Sequence, residues 1–165
     1  MQEANNEKLV VGENTYITIA EADELIATHL DKYNGLRLFW EILDDEEKEQ
    51  YLTRSIEQLE TLVYPGRKSR PMQPLTFPRA PSVEVPKEIK LAQAYNALGV
   101  LNADMKEAGE ESQKLYARFG VHLGVVSASD GVILGEMPVV KQVSLASKKA
   151  AQIVNKYVRG GFRMR

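Results

Sequence analysis

The chain has 165 residues, no cysteine, two histidines and a formal net charge of −2, which suits one domain with a sizeable core and excludes disulfides, thiol catalysis and thiolate metal sites. Its longest apolar runs fall far short of the roughly 20 residues that cross a bilayer, and the opening Met1-Gln2-Glu3-Ala4-Asn5-Asn6-Glu7 is polar and acidic, unlike a signal peptide. A soluble, intracellular protein is the expectation.

The charge is segregated along the chain. Between Thr61 and Val83 lie Arg67, Lys68, Arg70 and Arg79 with no acid, and from Met137 to Arg165 lie seven cations, again with no acid. These two segments hold 11 of the 21 basic residues and leave an acidic remainder. Opposite patches of this kind either meet between molecules, where they steer and orient association, or neutralise each other within one chain.

In chain order, an N-terminal arm, residues 1–14, precedes a helical segment, residues 15–63. Thr18 and Glu21 have capping-box spacing, and Ile19, Ala22, Ile26 and Leu30 share one face of a helix of about three turns. Asn34-Gly35 suits a helix stop. Leu36–Leu43 reads as a short helix whose aromatics, Phe39 and Trp40, enter the core. Asp44 and Glu47 form a second capping box, and Leu52, Ile56, Leu59 and Val63 give the stripe of a long helix from about Asp45 to Leu62. The consecutive acids Asp44, Asp45, Glu46, Glu47 and Glu49 fan around the helix axis, so they make a solvated helix start and no metal cluster.

Six of the seven prolines fall between Tyr64 and Pro86. Each lacks an amide donor and biases the preceding residue towards extended geometry, so residues 64–86 form a long loop that Leu75 and Phe77 pin to the body. A loop of this length in a compact domain is usually functional, and otherwise a linker. Pro86 is well placed to open the next helix. That helix, to about Asp104, is apolar around most of its circumference, which marks a central helix, and Lys106–Ser112 reads as a polar connection. Alternation from Leu115 to Val125, the Asp130-Gly131 turn and Val132–Leu134 predict a β-hairpin. His122 falls on its polar face. Val143, Ala146, Ala150, Ile153, Val154 and Tyr157 mark a last helix, closing a segment 87–158, and Gly160-Gly161 leads into a tail, residues 159–165. The whole is a single, mainly α domain: a bundle of four to five helices with a long proline-rich loop and a hairpin before the last helix.

No phosphate loop, nucleophile elbow or metal-spaced histidine pair is present, so catalytic, metal and cofactor sites are not expected, and an enzyme is disfavoured.

The order Thr15-Tyr16-Ile17-Thr18-Ile19-Ala20-Glu21-Ala22-Asp23, an isolated tryptophan, an acidic-capped helix, Gly66 with a basic run, Gln73-Pro74-Leu75-Thr76-Phe77-Pro78-Arg79 and Val85-Pro86-Lys87-Glu88-Ile89-Lys90-Leu91-Ala92 resembles the head-tail connector (adaptor) proteins of tailed bacteriophages. The family pattern in the loop is Gln-x-Leu-x-Trp-Pro-Arg, followed by Val-Pro-x-x-Ile-x-x-Ala; this chain carries Phe77 where tryptophan is usual and Pro74 in the variable position. The likeness covers Thr15 to about Leu101, and the family has also been labelled as similar to a DnaT-like single-stranded-DNA-binding protein.

The resemblance implies a structural virion protein, made in the host cytoplasm, that assembles as a homo-oligomeric, by likeness dodecameric, ring between the portal protein and a neck or tail completion protein. DNA passes through such a ring unaltered. On this reading Arg67, Lys68, Arg70 and Arg79 form an intersubunit interface, while Arg159, Phe162, Arg163, Met164 and Arg165 dock the portal. The alternative is a single-stranded-DNA-binding module, for which Tyr64, Phe77 and the nearby arginines offer stacking and phosphate contacts.

Overall fold

The computed structural model describes residues 8–119 and 145–158, which hold five helices: α1 (Ile19–His29), α2 (Gly35–Ile42), α3 (Asp45–Glu60), α4 (Lys87–Phe119) and α5 (Lys148–Val158). The fold is mainly α. Both expected capping boxes are formed. Thr18 Oγ1 accepts the Glu21 amide at 3.1 Å while Glu21 Oε2 accepts the Thr18 amide at 3.0 Å, and Asp44 and Glu47 repeat this at 2.8 and 3.1 Å. Each pairing satisfies two amides that a helix start otherwise leaves unpartnered.

Asn34 differs from the sequence expectation. It starts α2 instead of stopping α1: its Oδ1 accepts the amides of Leu36 and Arg37 at 3.0 and 3.3 Å. On α2 only Trp40 enters the core, at 1% exposure; its neighbour Phe39 is on the surface. Phe39 and Trp40 point about 100° apart, and the face of α2 turned to the core is the one that carries Trp40. Trp40 Nε1 donates to Asp23 Oδ1 at 2.7 Å, and the buried Lys48 reaches the same carboxylate at 3.1 Å, tying α1, α2 and α3 together. Val63, placed on the α3 stripe by its spacing, lies beyond the helix end at Glu60 and is exposed.

α4 packs against each of the other four helices, as its nearly all-round apolarity requires. Its polar core residues are partnered. Gln93 Oε1 accepts the Tyr16 amide at 3.0 Å and its Nε2 donates to Thr15 Oγ1 at 2.8 Å, while Asn96 Nδ2 donates to Gln58 Oε1 at 2.9 Å and its Oδ1 accepts the Ser147 amide at 3.2 Å. Among the described residues no buried side-chain polar atom lacks a hydrogen-bond partner. Gly99 lets the segment before α5 approach, because a Cβ there would sit 2.6 Å from the Ala146 carbonyl carbon and from the Ser147 nitrogen.

The polar connection and the start of the predicted strand are corrected by α4, which continues without a break through Lys106–Ser112 and Leu115–Phe119. Lys106-Glu107-Ala108-Gly109-Glu110-Glu111-Ser112 contains no proline and is rich in strong helix formers, so nothing in it halts a helix already running. The remainder of the hairpin, with His122 and Val132–Leu134, lies outside the described residues, among which there are isolated bridges but no strands.

Candidate assembly surface on the proline loop

The loop is held from beneath by an aromatic cluster. The Phe77 ring sits 4.9 Å from Tyr64, 6.1 Å from Tyr16 and 5.7 Å from Tyr157, each close to edge-on. Edge-to-face contacts bring the positive rim of one ring to the negative face of the next and add to the burial itself. Leu75 and Phe77 are both buried, at 6% and 4% exposure.

Glu60, in the last turn of α3, is the polar anchor. Its Oε2 accepts the Thr76 amide at 2.9 Å and the Thr76 hydroxyl at 2.7 Å, and its Oε1 accepts the Tyr16 hydroxyl. The Tyr16 oxygen in turn accepts the Phe77 amide at 3.2 Å. Burial, reinforced by the Glu60 carboxylate, holds the Tyr16 hydroxyl protonated well past the ordinary tyrosine range. Tyr64, donating to the Leu59 carbonyl at 3.1 Å, is shifted in the same direction by burial. Tyr157 is pushed up to about 12, first by burial and then by its bond to Glu88.

Above this floor the loop braces itself. Arg79 donates to the carbonyls of Pro65 and Tyr64 at 2.9 Å each and to that of Gly66, whose φ of +89° suits glycine. Lys68 Nζ donates to the Gln73 and Pro74 carbonyls at 3.1 and 3.0 Å. Gln73 Nε2 reaches the Leu75 and Pro78 carbonyls at 3.0 and 2.8 Å, while its Oε1 accepts the Arg70 amide at 3.0 Å. The Ser69 amide donates to the Pro78 carbonyl and the Ala80 amide to the Arg67 carbonyl, and the Phe77–Pro78 and Ala80–Pro81 peptides are cis.

The four cations expected at an interface therefore divide. Lys68 and Arg79 are engaged by the loop's own carbonyls, and Arg67 and Arg70 are exposed. On the same loop Met72 and Val83 are 93% and 76% exposed. The stacking pair offered by the sequence, Tyr64 and Phe77, faces inward. A shallow cavity of about 230 Å³ opens between Tyr64, Pro65, Phe77, Arg79, Pro86 and Tyr157. Arg159, Phe162, Arg163, Met164 and Arg165 lie outside the described residues.

The sequence did not reveal Tyr16, Glu60 and Tyr157 as anchors of the loop. Glu60 carried a usable signal: it falls four residues after Ile56, beside the apolar stripe, where a carboxylate needs a partner. Among the described residues no group of acids and histidines is arranged to hold a metal ion, and no helix is long and apolar enough to cross a membrane.

No curated protein and no solved structure matches the chain. The family described as "Putative DnaT-like ssDNA binding protein" matches residues 5–129, most of the sequence, and the chain belongs to that family.

Proposed function

We propose that this protein works by binding and not by catalysis, as a subunit of the homo-oligomeric head-tail connector ring of a tailed bacteriophage. The observation that carries the reading is the orientation of the proline loop. Its aromatic side chains are spent on the body, and its exposed residues include Arg67, Arg70, Met72 and Val83, with the acid Glu84 at its end, a mixed surface in which cations and apolar groups lead, of the kind that meets another protein. A braced loop on a helical scaffold is a rigid docking element, and rigidity lowers the ordering cost of association. The resemblance in the loop and in the start of α4 supports the same reading, with the portal and a neck or tail completion protein as partners.

Single-stranded-DNA binding is the second reading, and the description of the family favours it. Stacking platforms need exposed aromatics interleaved with cations. Tyr33 and Phe39 are exposed, and Lys32 Nζ sits 4.8 Å from the Tyr33 ring, but both aromatics belong to the acidic Asp31–Glu49 stretch and not to the basic loop. A salt titration of oligonucleotide binding, with negative-stain imaging of the same preparation, tests both. Rings, with no submicromolar binding to a single strand, support the connector. Submicromolar binding whose logarithm falls steeply with log salt, without rings, overturns it in favour of the second reading.

A further inference from the structure

α2 turns an apolar face to solvent. Leu38, Phe39 and Ile42 are 48%, 44% and 76% exposed, at a spacing that places them on one side of a short helix, and Tyr33 just before it is 78% exposed. Asp31–Glu49, which contains this helix, holds seven acids against three bases. Two of the bases are already committed, Arg37 to Glu41 at 2.8 Å and Lys48 to Asp23 at 3.1 Å. Ile42 therefore sits at an acidic, apolar corner bounded by Asp45 at the start of α3.

The proline loop offers the complement: Met72, Val83, Arg67 and Arg70 are all exposed on it, and Glu84 at its end is its one exposed acid. The two surfaces lie at opposite ends of one rigid element. The corner is fixed to the first turns of α3 by Lys48, and the loop to its last turn by Glu60. Asp45 and Glu60 are about 22 Å apart along the helix at 1.5 Å per residue. That distance is over twice the screening length of roughly 8–10 Å at physiological salt, so the two patches do not neutralise each other within one chain.

We infer that the acidic, apolar corner of α2 and α3 docks onto the basic proline loop of a second copy of this chain. The inference rests on the ring reading and supplies the two faces of its contact. Because the faces differ, the contact is head-to-tail and repeats from subunit to subunit, which closes a ring when the rotation permits and otherwise extends a filament. Ile42 and Met72 fill the centre, with the arginines and acids at the rim setting register.

The test is charge exchange, followed by sedimentation velocity and negative-stain imaging at low salt over a wide range of protein concentration. The proteins are the full chain, Arg67→Glu/Arg70→Glu, Asp45→Lys/Glu49→Lys, the quadruple variant, and an equimolar mixture of the two doubles. Each double variant is expected to assemble at least tenfold more weakly than the parent. The mixture and the quadruple variant are expected to regain assembly, since both restore opposite charges at every contact. Circular dichroism melts check folding, and Ile42→Ser with Met72→Ser, at two exposed positions, probes the same contact without changing charge. Assembly that survives both doubles overturns this contact and leaves the ring reading standing. Weakening by both doubles without rescue in the mixture means that the patches meet other partners, and also overturns it. A parent chain that stays monomeric throughout overturns the contact and the ring reading together.

Discussion

Glu60 and Thr76, sixteen residues apart, are joined by two hydrogen bonds to a single carboxylate oxygen, one from the Thr76 amide and one from its hydroxyl. The other oxygen accepts the hydroxyl of Tyr16, itself only 1% exposed. One side chain at the end of α3 thus fixes the height of the loop over the aromatic cluster, and the shape of the outward surface depends on it.

Glu60→Ala should leave the Tyr16 hydroxyl and the Thr76 amide without their acceptor. An unsatisfied buried donor costs about 1–3 kcal/mol, and water can reach the half-buried Thr76, so a loss of about 2–3 kcal/mol is expected. Denaturant melts measure the loss, and hydrogen exchange should speed up in residues 66–82 more than in α1 or α4. Uniform acceleration would show that Glu60 supports the whole bundle and not the loop.

Phe77 and Phe39 should respond oppositely to truncation. Phe77→Ala removes a ring packed against three tyrosines and is expected to cost about 3–5 kcal/mol. Phe39→Ala, at a 44% exposed position, should change stability by no more than about 0.5 kcal/mol. Equal losses in chemical denaturation would contradict the orientation of α2.

Much of this fold was legible because its signals are local. Thr18 with Glu21, and Asp44 with Glu47, satisfy each other three residues apart, so their spacing alone marks a helix start. The six loop prolines exclude a helix for reasons internal to each residue. Asn34 was ambiguous, since asparagine before glycine suits both a stop and a start, and the decision fell to the two amides that donate to its side-chain oxygen. The alternation at Leu115–Phe119 was overridden by the helix already running into it. The loop anchors were illegible for a different reason: Tyr16 and Phe77 are 61 positions apart, and no periodicity links them.

The two glycines of α4 should separate cleanly. Gly109→Ala meets nothing within 4 Å and should stabilise the helix by about 0.5–1 kcal/mol through propensity. Gly99→Ala gains the same propensity but drives a methyl into backbone atoms of Ala146 and Ser147 at 2.6 Å, where no side chain can rotate away. A net loss of about 1–3 kcal/mol is expected, with α5 displaced. Thermal melts of both variants decide the point; a stabilised Gly99→Ala protein would show that the approach of residues 146 and 147 to α4 is looser than described.

Alkaline pH should loosen the loop through its tyrosines. Tyr16, Tyr64 and Tyr157 all have their hydroxyls shifted upwards, chiefly because burial penalises the tyrosinate, with the Glu60 and Glu88 carboxylates acting in the same direction. The sign follows from linkage. The unfolded chain releases these protons near the ordinary tyrosine value of about 10 while the folded chain retains them, so the folded state binds more protons and stability falls as pH rises. The contribution is complete below about pH 10 and is lost progressively above it, through about 12 for Tyr157. Lysines titrate in the same window, so the melting temperature of the parent protein alone does not isolate the effect. Tyr157→Phe does: it keeps the ring against Phe77, gives up one partly exposed hydrogen bond worth about 0.5–1 kcal/mol at neutral pH, and removes one of the three groups. The variant should therefore start slightly less stable at pH 7 and lose less on going to about pH 11, with tyrosinate absorbance showing one fewer late-titrating group. Parallel stability curves for the two proteins across this range would mean that the Tyr157 hydroxyl titrates as it would in water, and that the third edge of the aromatic cluster is open to solvent.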